Sequence, residues 1–320
     1  MKSMIPNNVQ MFSWDIKKIT DNFMTHSLEK GSEHIKIAVV DSGVDIEHPG
    51  LKKNINQTFN YVLNERENDL TGHGTMVCGQ ICGYGLLKGI VPDCKVDVYK
   101  VLNKNNKSSV NRVLRALHDI AKSDYHVVNL SLGFSLSNIP KPIREKCEKA
   151  LKKLYDAGTI CISTVGYTTQ DHFPSFSDYV ITAQSLSKNG KIVNKELNAI
   201  FALYSGDYLN IELNKSNYDD ELVSVYIPID ISKKALSYCS NEGKFPLGYS
   251  YSIGESLASA KLSGVIIAII SHYYKMNKKI LNFDEVIFTL KKYSTVIENR
   301  HLVNLYKALN DINKGVFKVG

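Results

Sequence analysis

The feature that most constrains the fold is an alternation of short, β-branched apolar runs with longer amphipathic segments. The runs "HIKIAVV", "CKVDVYKV", "YHVVNLSL", "TICIST" and "DYVITAQS" have the length and composition of strands. Helical patterns such as "SSVNRVLRALHDIAKSD" and "KPIREKCEKALKKLYDAG" lie between several of them. This alternation predicts an α/β fold, with a mostly parallel central sheet and helices on both faces. In such sheets, reactive side chains gather at the carboxyl ends of the strands.

The composition is compatible with one large domain. Of the 320 residues, 43% are hydrophobic and 22% are charged, and no repeat or low-complexity linker divides the chain. We predict an N-terminal extension (1–13), a single domain (14–312) and a C-terminal tail (313–320). Within the domain, residues 188–237 are rich in Asn, Tyr and Asp and predict a variable surface β insertion. The stretch "NFDEVIFTLKKYSTVIENRHLVNLYKALNDI" predicts two amphipathic helices.

Charge and hydropathy exclude several classes of partner. The formal charge is +7, but the 39 Lys and Arg residues are dispersed without aromatic clusters, so we expect no nucleic-acid partner. The apolar stretch "GVIIAIISHYY", which starts at Gly264, is too short to span a bilayer and predicts a buried helix. The first residues contain no apolar run of signal-peptide length. We therefore expect a cytoplasmic protein without a membrane partner; the oligomeric state stays open.

The cysteines predict free thiols rather than disulfides or a metal site. Cys78 and Cys82 are one helical turn apart and Cys94 follows, which raises the question of a zinc site. No second Cys-x-x-Cys or His-x-x-x-His completes four ligands, so we expect no metal and no other cofactor. In a reducing compartment, all six cysteines are expected to be reduced: Cys78, Cys82, Cys94, Cys147, Cys161 and Cys239.

Three residues form a candidate catalytic set. Asp41 follows a buried strand, His73 lies between two glycines at the start of a helix, and Ser256 opens an apolar helix. A serine hydroxyl becomes a nucleophile when a base takes its proton, and the base needs a carboxylate to fix its tautomer. Each residue also has a simpler interpretation: a turn aspartate, a structural histidine and a helix N-cap. The chain order Asp, His, Ser favours catalysis, because it is the order found in subtilisin.

The surrounding segments resemble one protease family. "VVDSGVDIEHPGL", "GHGTMVCG" and "GESLASAKLSG" are similar to the aspartate, histidine and serine segments of the subtilisin-like serine proteases, or subtilases. "GIVPDCKVDVYKVLN", "VVNLSLGF" and "HLVNLYKAL" extend the resemblance from about Trp14 to Leu309. It implies a subtilisin-like fold, a triad of Asp41, His73 and Ser256, and peptide cleavage through an acyl-enzyme. It also places the Ser256 backbone N–H in the oxyanion hole.

The same resemblance implies where a substrate binds. The segment 129–133 would pair with an extended peptide, and its last three residues would form a wall of the pocket for the residue before the cut. Gly166 would lie near the oxyanion. The expected substrate-binding residues are Asn129, Leu130, Ser131, Leu132, Gly133 and Gly166.

Two departures affect the expected chemistry. Subtilases usually carry an oxyanion-binding Asn after the Gly of "STVGY", where this chain has Tyr167. Either the Tyr167 hydroxyl replaces that donor, or a residue of the following segment (Thr168, Thr169 or Gln170) does, or the hole is weakened. Beside the nucleophile, the usual Thr is Glu255, whose charge would slow the reaction unless it points to solvent or pairs with Lys261. A first-turn carboxylate that favours the helix dipole is the alternative interpretation.

The resemblance also narrows the function. About forty residues precede Asp41, too few for a pro-domain as well as the first elements of the fold, as in short intracellular subtilases. The segment after His73 lacks the Asn-rich insertion that carries calcium in many relatives, so no calcium is expected there. We expect a cytosolic endopeptidase of narrow specificity, acting on a peptide or precursor peptide, such as one that removes leader peptides from lantibiotics. The alternatives are a catalytically weakened peptide-binding or signalling module and, third, an ester or amide hydrolase.

Overall fold

A large parallel sheet organises the molecule. The computed structural model describes residues 13–166, 171–209, 221–232 and 246–319. Within these residues, nine strands form one sheet in the order β12-β13-β9-β8-β6-β4-β1-β3-β2, and two two-stranded sheets pair β10 with β11 and β5 with β7. The strands are β1 (Ile37–Asp41), β2 (Ile55–Asn60), β3 (Val96–Lys100), β4 (Val127–Leu130), β5 (Phe134–Ser135), β6 (Ile160–Thr164), β7 (His172–Phe173), β8 (Val180–Leu186), β9 (Phe201–Tyr204), β10 (Val223–Tyr226), β11 (Tyr249–Ser252), β12 (Ser294–Ile297) and β13 (Arg300–Val303).

The pairing confirms the predicted sheet. Neighbours from β13 to β2 pair in parallel, and only β12 runs antiparallel, against β13, among the strands described for this sheet. The predicted runs form β1, β3, β4, β6 and β8. Every residue of β1 is buried, as expected for a strand covered on both faces.

Helices cover both faces of the sheet. They are α1 (Trp14–Ile19), α2 (Thr25–Leu28), α3 (His73–Cys82), α4 (Val110–Ile120), α5 (Lys141–Asp156), α6 (Ile229–Ser232), α7 (Glu255–Asn277), α8 (Phe283–Lys292) and α9 (Leu305–Asn313). Side chains of a strand alternate between faces, and β1 shows this directly. Val39 packs in the core that contains residues of α3 and α7, whereas Val40 packs in the core that contains residues of α4 and α5. The predicted two-faced α/β architecture is therefore present.

The helix that contains the apolar segment is longer than the sequence predicts. Helix α7 has 23 residues, so by length and composition alone it could cross a membrane, contrary to the estimate that the segment is too short. Of its most apolar window, 94% is buried inside the molecule. It is the central core helix, as the apolar run predicts.

The predicted surface insertion at 188–237 is wrong for two of its segments. Strand β9 is buried inside the main sheet, between β8 and β13, and the fully buried β10 pairs with β11. Four-residue apolar runs carry too little periodicity to distinguish a buried strand from a loop. Residues 210–220 and 233–245 lie outside the described residues, as do 1–12 and 320, and the predicted domain limits stay predictions.

The remaining predicted features have separate outcomes. The two C-terminal helices are present as α8 and α9, but the hairpin β12–β13 lies between them and was not predicted. Its turn places Glu298 and Asn299 in the left-handed region.

Five cysteines are buried free thiols, as predicted: Cys78, Cys82, Cys94, Cys147 and Cys161. Cys239 lies outside the described residues.

Candidate active site

Asp41 is held at the carboxyl end of the central strand β1. Its side chain is fully buried, and Oδ1 accepts a hydrogen bond from the Ser42 N–H at 2.7 Å. The same oxygen lies 2.8 Å from His73 Nδ1. A buried carboxylate in this position selects the imidazole tautomer that carries its proton on Nδ1 and leaves Nε2 free to act as a base. The two predicted residues therefore meet in the geometry that the chemistry requires.

His73 is the first residue of α3, at the start of a helix as the sequence predicts. The turn places the next residue, Gly74, against the β1 end so closely that an added Cβ would lie 2.0 Å from the Gly43 carbonyl oxygen. Burial opposes the charged imidazole, but the charge and hydrogen bond of Asp41 outweigh it and raise the pKa of His73 above its usual value. The imidazolium that forms when the serine loses its proton is therefore stabilised.

Asp69 is a buried positioning residue that the sequence analysis missed. Its Oδ1 accepts from the Ser42 hydroxyl at 2.9 Å and from the Gly72 N–H at 2.9 Å. Its Oδ2 accepts from the N–H and the hydroxyl of Thr75 at 2.9 and 2.7 Å. The carboxylate thus fixes the N-terminus of α3 against the β1 end. An acidic residue just before a helix start was the available signal.

Lys100 is a second buried residue that the sequence analysis missed. It ends β3 and pairs in register with Asp41, and its Nζ donates to the Ser42 carbonyl at 2.8 Å and to the Asn68 carbonyl at 3.1 Å. The side chain is 1% exposed. It connects the backbone beside Asp41 to the backbone beside Asp69.

Ser256 is the second residue of α7, and it is not the helix cap. The N-cap position is Gly254, whose φ of 140° is in a region that side chains rarely adopt. The Ser256 hydroxyl instead donates to the Ser131 carbonyl at 3.3 Å. Its backbone N–H belongs to the first helical turn, where N–H groups have no intrahelical acceptor and can bind an oxyanion. The capping interpretation of this serine is therefore wrong.

Glu255 neither points to solvent nor pairs with Lys261. It is fully buried, and its Oε2 accepts from the Ser185 N–H at 2.6 Å. Burial raises the pKa of this carboxyl to about 8, against the hydrogen bonds from the Ser185 N–H and the Tyr208 hydroxyl. At pH 7 the group is therefore mainly neutral, and it adds little negative charge beside the nucleophile.

The expected partner of Glu255, Lys261, belongs to another buried pair. Its Nζ lies 2.6 Å from Asp15 Oδ2 in α1, and both side chains are 0% exposed. Lys261 also donates to the Tyr204 carbonyl at 2.8 Å. Burial raises the pKa of Asp15 and lowers that of Lys261. The pair connects α1 to the nucleophile helix.

A cleft of about 640 Å³ is lined by His73, Leu102, Asn106, Lys107, Ser108, Ser131, Leu132, Gly133, Phe134, Thr164, Gly166, His172 and Ser256, whereas the fully buried Asp41 does not reach it. Four of the predicted substrate-binding residues are thus in place: Ser131, Leu132, Gly133 and Gly166. Asn129 and Leu130 are not in the lining. Both are fully buried in β4, and the Asn129 amide donates to Ser263 Oγ at 3.0 Å. Because β1 and β6 occupy both edges of β4, this strand cannot accept a substrate strand.

The predicted side-chain donors of the oxyanion hole lie outside the described residues. Tyr167 and its alternatives Thr168, Thr169 and Gln170 belong to the segment 167–170. Their assignment stays a prediction. Among the residues that the structure describes, no group of three or more His, Cys, Asp and Glu side chains is arranged to hold a metal ion.

The fold and the three side chains define a class of protein. Asp41 is a buried carboxylate in contact with the His73 imidazole, and His73 shares a cleft with a serine at a helix N-terminus. This is the arrangement of an Asp-His-Ser hydrolase built on an α/β sheet. Residues 32–282 match the model of the Subtilase family. The chain belongs to this family of serine proteases, as the sequence resemblance implies.

The similar proteins include leader peptidases. Over 81% of its own length, this chain is 28% identical to the epidermin leader peptide-processing serine protease EpiP of Staphylococcus epidermidis. It is 24% identical to the nisin leader peptide-processing serine protease NisP of Lactococcus lactis over 95% of its length. The matches span 65% and 49% of these two relatives, respectively.

Solved structures show the same fold. The crystal structure of a lanthipeptide protease superimposes with a TM-score of 0.81 at 25% identity, and the match covers 95% of this chain and 96% of that one. The structure of NisP from Lactococcus lactis has a TM-score of 0.77 at 20% identity, with 94% of each chain covered. The predicted subtilisin-like, single-domain α/β fold is confirmed.

Proposed function

We propose that this protein is a cytoplasmic serine endopeptidase that removes the leader from a ribosomally made precursor peptide. The observation that carries the proposal is the 2.8 Å contact between Asp41 and His73, together with Ser256 on the same cleft. Leader processing is supported by the resemblance of this chain, over most of its length, to the leader peptide-processing proteases EpiP and NisP.

The reaction follows from these three side chains. When a peptide enters the cleft, Ser256 Oγ attacks the scissile carbonyl carbon as His73 Nε2 takes its proton. The oxygen that gains charge is stabilised by the Ser256 backbone N–H. His73 then donates the proton to the leaving amine, and water releases the acyl-enzyme by the same path in reverse. In the free protein, the Ser256 hydroxyl is directed to the Ser131 carbonyl, so substrate binding must turn it toward His73.

The cytoplasmic location is supported by the thiols. The five described cysteines are buried and unpaired, which suits a reducing compartment. Burial raises the pKa of Cys161 to about 12, so this thiol does not react as a thiolate. Fractionation of the native host, followed by immunoblotting of the soluble and exported fractions, tests this part of the proposal.

A cleavage experiment tests the main proposal. Purified protein is incubated with a panel of full-length lantibiotic precursor peptides, and mass spectrometry locates any cut. The proposal expects one cut at the junction of leader and core, and no cut with Ser256→Ala. Many cuts along each peptide would contradict leader processing. Tight binding of the precursors without any cut would favour the weakened binding module instead.

A further inference from the structure

His172 is a cleft residue that the catalytic mechanism does not use. It lies in β7, which pairs antiparallel with β5, so that His172 is opposite Ser135. Strand β5 follows directly after the predicted pocket wall, Ser131 to Gly133. The short sheet therefore places the imidazole against the wall that faces the residue before the cut.

Two glycines leave space for this ring. A Cβ added at Gly166 would lie 3.3 Å from His172 Nδ1, and a Cβ added at Gly133 would lie 3.8 Å from His172 Cδ2. The imidazole therefore fills the gap between the two backbone segments. Its Nδ1 is buried without a hydrogen-bond partner within the described residues. A buried polar atom in this condition is costly unless a bound group satisfies it.

The charges of the cleft are of one sign. Besides His73 and His172, the lining contains Lys107, and none of the described lining residues is Asp or Glu. A second cavity that shares His73 and Ser256 is lined by Lys104 and also by no carboxylate within the described residues. A lysine or arginine side chain of a substrate would find no counter-charge here, whereas a carboxylate would find donors.

We propose that His172 determines specificity by binding the side chain of the residue before the scissile bond, and that this residue is acidic, glutamate or aspartate. The inference rests on the proposed peptidase function and names the substrate class for it. The imidazole, held between Gly133 and Gly166, donates a hydrogen bond to the substrate carboxylate from the side of the ring that faces the cleft. Lys107 lies on the segment after β3, apart from Gly133 and Gly166. Its charge attracts acidic peptides in general.

Four peptides that differ only in the residue before the cut test this assignment. The residue is Glu, Gln, Leu or Arg, and kcat/KM is measured at each site by mass spectrometry. We expect Glu to be preferred over Arg by about 10²-fold, because the imidazole can donate to a carboxylate and the cleft lining offers a guanidinium no acidic partner. In His172→Ala this preference should fall to within about fivefold, and His172→Asp should reverse it toward Arg. In the control Lys107→Ala, all four rates should fall together.

The outcomes separate the inference from the proposed function. Labelling of Ser256 by a fluorophosphonate first shows that each variant is folded and has an activated nucleophile. A labelled wild type that prefers Arg or Leu overturns the inference alone, as does a Glu preference that survives in labelled His172→Ala. A sample that cuts none of the four peptides overturns the proposed function and the inference with it.

Discussion

The two halves of the catalytic site are built differently. The acid–base half, at the ends of β1 and the start of α3, is connected by hydrogen bonds: both oxygens of Asp69 are bonded, and Asp41 holds His73 at 2.8 Å. The nucleophile half, at the start of α7, contains one of the two departures from the family pattern, Glu255. Glu255 is buried there with a raised pKa, and Lys261 is ion-paired to Asp15.

The difference shows which parts of the site can vary. A proton relay depends on angles and tautomers, so its groups are fixed by a network in which each bond supports the next. The nucleophile half needs only a hydroxyl and N–H donors near one oxygen, and several side chains can supply the latter. Substitutions in the acid–base half should therefore have the larger effects.

Among substitutions that keep the Ser256 hydroxyl, the largest effect is expected from Asp41→Asn. An amide in this position favours the wrong imidazole tautomer, so kcat should fall by about 10⁴-fold with little change in KM. Because Asp41 raises the pKa of His73, the acid limb of the pH profile should also move to lower pH. Steady-state kinetics from pH 5 to 9 measure both effects. The exposed Asp124→Asn is the control and should behave like the wild type; a fall of less than tenfold for Asp41→Asn would contradict the comparison.

A smaller effect is expected from Tyr167→Phe, at the predicted position of the second oxyanion donor. If the Tyr167 hydroxyl is the second oxyanion donor, its removal should lower kcat by about 10–10³-fold and leave KM nearly unchanged. Tyr167→Asn should retain or raise activity. A silent Tyr167→Phe would assign the donor to Thr168, Thr169 or Gln170, and alanine variants of these three would locate it. A hundredfold gain in Tyr167→Asn over a very slow wild type would indicate a weakened protease.

Glu255→Gln should have a pH-dependent effect of at most tenfold. With a pKa of about 8, the wild-type carboxyl is neutral at pH 7 and gains a charge beside the oxyanion above pH 8. At pH 9, one unit above this pKa, about a tenth of the wild-type molecules still have a neutral Glu255. If only these molecules react, the wild-type kcat at pH 9 should be about tenfold below that of Glu255→Gln. The acid limb, set by His73, should coincide in both proteins. Equal alkaline limbs would show that Glu255 does not influence the reaction.

The same substitution has a predicted signature in stability. The pKa of Glu255 is higher in the folded protein than the ordinary 4.5, so the neutral form stabilises the fold below pH 4.5 and this contribution is lost as pH rises toward 8. The melting temperature of the wild type should therefore decrease between pH 5 and 8 relative to that of Glu255→Gln. Thermal unfolding followed by circular dichroism measures the difference, with the exposed Glu33→Gln as control.

The smallest effect is expected from chelators and reductants. The sequence assigns no calcium site and no disulfide, and the described cysteines are free. EDTA or dithiothreitol should leave the melting temperature unchanged within about 1 °C, because neither removes a ligand of the folded state. A fall of many degrees with EDTA would reveal a bound ion.

The parts of the site that were predictable are those with local sequence signals. Asp41, His73 and Ser256 lie at a strand end or a helix start, where the residue type and its neighbours indicate the geometry. Lys100 acts through contacts with segments distant in the chain, which periodicity does not report. Asp69 had a local signal, as an acidic residue just before a helix start, but its bond to Ser42 also joins distant segments. Distant contacts also explain why Asn129 and Leu130 were expected to pair with a substrate: only the sheet order shows that both edges of β4 are occupied.

Labelling by a fluorophosphonate tests the central claim most directly, because the reagent requires a serine activated by a base. Purified wild type is treated with the probe, digested, and analysed by peptide mass spectrometry, alongside Ser256→Ala and His73→Ala. The account predicts one modified peptide, which contains Ser256, and no labelling in either variant. A folded wild type that stays unlabelled, or a label that persists in Ser256→Ala, would contradict the claim that Asp41, His73 and Ser256 form a working triad.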